Sequence, residues 1–294
     1  MSGTDRPGLG IGLRLLSGLL MTGMFVSVKA VSEAVPLGQV VFFRAAFAMI
    51  PLVIFLWLRH EFPHGLATKR PFGHLVRSAF GALAMFSSFA AIARLNVAEA
   101  ILVAQLAPVL MAVAGAFFLS ERLTLWRIGG LALGFAGVVV LVWPELGGGA
   151  SSASRFAGFL YGVVSAALTA LALIMVRSLN RTESPGAIAL YFVLASMLAA
   201  LPTLAWGWVW PEAETLALLV AAGLFGGFGH IAMTLAFRFA EASRLAPFEY
   251  VALLWVILAD VFIFRLPMAA TFVISVPLVL AGVALAAAEG KRRR

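Results

Sequence analysis

The chain has no cysteine and little charge: its 294 residues hold 21 Lys and Arg, 13 Asp and Glu, and 4 His. Without cysteine there is neither a disulfide framework nor a thiol nucleophile, although the compartment stays open. No His-Glu-x-x-His zinc helix, P-loop or Gly-x-Ser-x-Gly elbow occurs. ATP hydrolysis within this chain is thereby excluded, no enzymatic chemistry has a motif to rest on, and no cofactor or metal is expected. Charged residues make up 12% of the chain, about half the roughly 25% of an ordinary soluble domain. That shortfall excludes a soluble globular protein.

Apolar sequence fills the space instead: 63% of residues are hydrophobic and the mean hydropathy is +1.04. A transmembrane helix needs about 20 apolar residues to cross roughly 30 Å of hydrocarbon. Ten such spans fit at 11–31, 37–58, 72–93, 97–119, 125–143, 156–177, 186–208, 216–237, 244–264 and 268–288. A transmembrane barrel would show alternating segments of about 10 residues. The reading is an all-α integral membrane protein with ten transmembrane helices. The first run is taken as a span and not as a cleaved leader ending at Ala30-Val31-Ser32, because its loss would leave an unpaired set of helices.

The excess of basic residues reflects orientation in the bilayer, not nucleic-acid binding. With the N-terminus inside, 16 Lys and Arg fall in inner segments, against four (Lys29, Arg94, Arg155 and Arg265) outside. Cytoplasmic loops carry such an excess. Both termini are therefore expected in the cytoplasm, with Lys291–Arg294 as an anchor attracted to anionic lipid.

The second five spans repeat the first five. A shift of 148 brings Ser17 onto Ser165 and Lys29 onto Arg177; a shift of 149 brings Pro36 onto Pro185. Shifts of 144 and 145 bring Arg94 onto Arg238 and Gly137 onto Gly282. Because five is odd, two homologous halves must lie in the membrane in opposite orientations. The expected organisation is a first five-helix repeat at 1–147, a Gly- and Ser-rich linker at 148–155, and an inverted second repeat at 156–294. Inverted repeats of this kind are frequent in secondary transporters, whose substrate sites lie near the bilayer midplane.

The stretch Arg94–Thr124, with a mid-helix Pro108 and a Ser120-Glu121-Arg122 turn, resembles the ten-helix EamA-like form of the drug/metabolite transporter superfamily. Arg44 early in the second span, preceded by Pro36, fits the same pattern. In the second half, Phe264-Arg265-Leu266-Pro267 departs from it where the family often repeats the Glu turn. Within the superfamily the chain looks closest to bacterial metabolite exporters, including YddG-like aromatic amino-acid exporters. The resemblance implies a bacterial inner-membrane protein in which two four-helix groups rock around a central cavity, with the fifth and tenth helices peripheral.

Polar residues within spans are the candidate site, because charge at the bilayer centre costs at least about 2.5 kcal/mol. Ser78, Gly81, Met85 and Ser88 share one face of the third span; Gly223, Gly227, His230 and Thr234 share one face of the eighth. Facing each other, these stripes would line a cavity of small polar groups. His230 reads as a substrate or proton contact, or equally as a structural hydrogen bond. Gln105 offers an amide from the fourth span. Glu249, Tyr250 and Trp255 lie on the ninth, where Trp255 is placed to stack on an aromatic substrate. Arg44 is expected as a brace paired with a carboxylate or helix-end carbonyls, and Pro108 and Gly227 as bending or packing points. The remaining Trp residues cluster at span ends as an aromatic belt.

These readings point to a secondary transporter, not an enzyme. It would export aromatic or other neutral amino acids, or related metabolites, by alternating access. Its partners would be a small-molecule substrate and lipid, with no nucleic acid; the sequence leaves monomer and oligomer open. The alternatives are another solute class, such as a cationic drug or nucleoside, and then a membrane-embedded enzyme or scaffold.

Overall fold

The computed structural model describes residues 6–118, 125–147, 150–240, 245, 248 and 251–292, and every regular element among them is helical. The helices are α1 (Pro7–Val31), α2 (Leu37–Leu58), α3 (Pro71–Arg94), α4 (Val97–Ala104), α5 (Ala107–Phe118), α6 (Leu125–Val142), α7 (Ala150–Leu179), α8 (Pro185–Ala200), α9 (Ala213–Phe239), α10 (Val251–Phe262) and α11 (Ala270–Arg292). Seven segments are long and apolar enough to cross a membrane, and three shorter apolar ones complete the ten spans. The chain is a multi-pass helical membrane protein.

Local chemistry sets the helix ends. Proline opens α1, α3 and α8, where its missing N–H removes a donor that would have no partner anyway. Ser184 caps α8 by accepting from the Ala187 N–H at 3.0 Å. Asn96 and Glu99 form a reciprocal capping box at the start of α4. At the end of α2 the Glu61 N–H donates to the Leu56 carbonyl at 2.9 Å and the His60 N–H to Trp57 at 3.0 Å. This is a Schellman turn with His60, at φ 57°, in the left-handed position usually given to glycine.

Two sequence expectations change. The fourth span is broken between α4 and α5, and the break precedes Pro108. Gln105 and Leu106 tighten the chain with bonds to Leu102 and Val103. Pro108 is then the second residue of α5, where it has no helical donor to lose. The stretch expected as a linker is helical from Ala150 onward, because its Ala and Ser residues tolerate helix once the apolar face of α7 is packed.

Contacts divide the chain into two compact units, one of 1–69 with 182–265 and the other of 70–181 with 266–294. Each draws helices from both halves of the sequence. In the first unit, α9 lies along α1 and α2. Gly223 and Gly227 permit that approach: a Cβ on Gly223 would collide with Phe47, and one on Gly227 would lie 2.5 Å from Pro51. A core of Ala45, Leu52, Leu56 and Val193 joins α2 to α8. In the second unit α3 runs along α7, and α6, the fifth span, pairs with α11, the tenth. There a Cβ on Gly282 would sit 2.6 Å from the Gly134 nitrogen. Such small-residue contacts drive helix association in lipid, where burial of apolar surface supplies no force.

Candidate functional site

Within the first unit a cleft of about 140 Å³ opens between the end of α2, the start of α8 and the second half of α9. Its floor is apolar, made by Leu52, Phe55, Leu56, Ala189 and Ile231, and its polar groups are Arg59, Glu61, His230 and Thr234. The Schellman turn folds Glu61 back over the last turn of α2, so that Arg59 Nε meets Glu61 Oε1 at 3.0 Å. The Arg59 guanidinium also lies over the Phe55 ring, 5.4 Å from its centroid. Gly186 leaves room beside the other carboxylate oxygen, since a Cβ there would be 3.1 Å from Glu61 Oε2. Apolar walls with a few convergent polar groups are the usual composition of a small-molecule site.

Among the described residues, His230 and Thr234 are the two expected site residues that reach this cleft. Both are exposed, and the Thr234 hydroxyl donates to the His230 carbonyl at 2.9 Å. Gly227, on the same helical face, is instead buried against α2. Its stripe therefore serves packing at one end and the cleft at the other.

Ser78, Met85 and Ser88 stand on α3 in the second unit, the first two buried and the third half-buried. Gln105 is half-buried at the break after α4, and Pro108 is exposed. Glu249 and Tyr250 lie outside the described residues, as does the Ser120-Glu121-Arg122 turn. Trp255 rests against α1, its Cδ1 3.6 Å from where a Cβ on Gly18 would be. Its indole nitrogen is buried with no hydrogen-bond partner among the described residues.

Arg44 departs from its expected pairing. It is 3% exposed, and its Nε donates to the Met24 sulfur at 3.4 Å. Nη1 is buried without a hydrogen-bond partner among the described residues. Among the described residues no carboxylate meets it, and Gly226 lies beside it: a Cβ there would be 3.2 Å from Arg44 Nε and 2.8 Å from the Met24 sulfur.

Sequence reasoning missed the Arg59–Glu61 rim, although a run of charge directly after an apolar span was there to find. It also missed an ion network in the second unit. Arg155 Nη2 donates to Glu99 Oε1 at 2.8 Å and its Nε to Glu145 Oε1 at 2.7 Å. Glu99 is 3% exposed, and its second oxygen accepts from the Asn96 N–H at 3.0 Å. The Asn96-x-x-Glu99 spacing carried that signal. Among the described residues, no three His, Asp or Glu side chains gather as metal ligands would.

Residues 8–143 match the EamA-like transporter family. The chain is 29% identical to the pseudopaline exporter CntI of Pseudomonas aeruginosa, over 84% of each protein. It is 28% identical to an S-adenosylmethionine uptake transporter of Rickettsia felis, over 87% of this chain and 84% of that one. A riboflavin transporter of Rhizobium johnstonii is 30% identical over 63% of this chain and 61% of its own length. A crystal structure of another protein, 22% identical, aligns with a TM-score of 0.66 over 97% of this chain and 98% of that one.

Proposed function

We propose that the chain, whose residues 8–143 match the EamA-like transporter family, is a member of the drug/metabolite transporter superfamily that exports amino acids or related small metabolites, aromatic and other neutral ones above all. The observation that carries this reading is the cleft, whose apolar floor and charged rim suit a small amphipathic solute. The named relatives move chemically different solutes in different directions, so substrate choice rests on this chain's own residues.

Alternating access between inverted halves is the proposed mechanism. Similar local placement of residues paired by the sequence shifts supports this reading. Lys29 and Arg177 occupy the last turns of α1 and α7. Pro36 is the N-cap residue of α2, and Pro185 opens α8. The distribution of Lys and Arg supports cytoplasmic termini, and a bacterial inner membrane is the proposed location.

The test is uptake by proteoliposomes of a mixed amino-acid panel, with and without an imposed pH gradient. Saturable flux of aromatic or branched amino acids supports the reading, and indifference to the gradient makes the protein facilitative. Flux of a nucleoside or cationic drug, with none of any amino acid, overturns the substrate assignment.

A further inference from the structure

We propose that the Arg59–Glu61 pair at the mouth of the α2–α8–α9 cleft is a recognition site for the zwitterionic head group of an apolar α-amino acid. Arg59 takes the carboxylate and Glu61 the ammonium. The inference rests on the amino-acid reading above and adds to it a site and a chemical rule for entry.

The argument begins with the backbone. The apolar run of α2 ends at Leu58 and is followed at once by Arg59-His60-Glu61. A continued helix would set the two side chains on different faces, since residues i and i+2 do not face each other there. The left-handed His60 instead turns the chain back, and the Leu56 carbonyl captures the Glu61 N–H. Backbone strain at a non-glycine residue is commonly stored beside functional groups. Here it fixes an acid and a base side by side over an apolar pit.

The pair is only partly consumed by its own contact. It uses one guanidinium nitrogen and one carboxylate oxygen. Among the described residues, the Arg59 Nη groups make no other hydrogen bond and Glu61 Oε2 accepts none. The Phe55 ring beneath the guanidinium holds its plane in place. Gly186 keeps the space beside Oε2 clear of any side chain. Donors and an acceptor are therefore presented together at one rim, with Leu52, Leu56, Ala189 and Ile231 below to receive an apolar side chain.

Charge complementarity selects the class. A simple carboxylate meets Arg59 but also the like charge of Glu61, and a simple amine meets the reverse. Only a ligand that carries both charged groups on one carbon satisfies the pair without leaving either repelled, which is selection by penalty as well as by attraction.

The experiment measures affinities of the purified full-length protein in lipid nanodiscs for three probes: phenylalanine, phenylalaninamide (no carboxylate) and 3-phenylpropanoate (no ammonium). Wild type is expected to bind phenylalanine at least about tenfold tighter than either analogue, the ratio that one charged hydrogen bond supports. Arg59→Gln should abolish the preference over phenylalaninamide, and Glu61→Gln the preference over 3-phenylpropanoate. Ratios taken within one variant do not depend on its folded yield. Wild-type ratios in both variants overturn the site. If those variants also keep phenylalanine flux in proteoliposomes, amino-acid transport stands and only the clamp falls. Selective binding without amino-acid flux would sustain the clamp and overturn the transport reading. Absence of both in the wild type overturns both.

Discussion

The hydroxyl of Ser17 on α1 donates to the carbonyl of Gly229 on α9 at 2.8 Å. In the other unit Ser165 on α7 donates to Ala84 on α3 at 2.9 Å. Ser17 and Ser165 are the positions that a shift of 148 superposes, and a shift of 145 carries Ala84 onto Gly229. The same bond thus joins the first helix of each half to the third helix of the other.

Interhelical hydrogen bonds in membranes contribute about 0.6 kcal/mol and up to about 2 kcal/mol. Ser17→Ala and Ser165→Ala should each lower stability by a similar amount on that scale, read as thermal unfolding in detergent. A large loss for one and none for the other would break the equivalence.

Gly282→Ala tests the contact of α6 with α11. The added Cβ would lie 2.6 Å from the Gly134 nitrogen and 2.7 Å from the Gly130 carbonyl oxygen, and backbone cannot step aside as a side chain can. A loss of about 1–3 kcal/mol is expected. Gly8→Ala, which meets nothing within 4 Å, should be neutral or slightly stabilising. Equal melting temperatures for the two variants would refute the contact.

Glu99→Ala removes half of the α4 capping box and a partner of Arg155 together. Because Glu99 is buried, the expected cost is about 3 kcal/mol, and Glu145→Ala should cost less. The double variant Glu99→Ala/Arg155→Ala should be less damaged than the sum of the singles. Strict additivity in that cycle would mean the ion pair contributes nothing.

His60→Gly should stabilise the protein by about 0.5–1 kcal/mol, because glycine takes the left-handed C′ conformation without a Cβ penalty. A lowered melting temperature would show instead that the imidazole contributes a contact larger than the strain.

Arg44→Met tests a buried cation that meets sulfur and no described carboxylate. Replacing a poorly paired buried charge by an apolar side chain of similar length is often stabilising by about 1 kcal/mol or more, and a higher melting temperature is expected. A collapse of folded yield would restore the brace that the sequence suggested.

The helix ends show how far sequence reading reaches. Span 37–58 coincides with α2, since Pro36 and the charged Arg59 mark its limits locally. The break before Pro108 and the helical start of α7 at Ala150 were not legible. Proline signals a disturbance without saying on which side the chain gives way, and Ala- and Ser-rich sequence accepts helix or loop according to what packs on it. The glycine stripe on α9 had the right periodicity for a cavity wall. Whether Gly227 faces space or Pro51 depends on α2, more than 160 residues away in the chain.

The sequence by itself therefore determined a helical membrane protein, the number of its spans and most of their limits. Hydropathy over twenty residues is a local property, and the bilayer admits few other ways to satisfy a backbone. Only the tertiary structure decided which helices pair, that each compact unit mixes the two halves, and that Arg59, Glu61 and His230 share one cleft. Those outcomes turn on small-residue contacts and a single left-handed turn, which join residues far apart in the chain and leave no periodic trace in it.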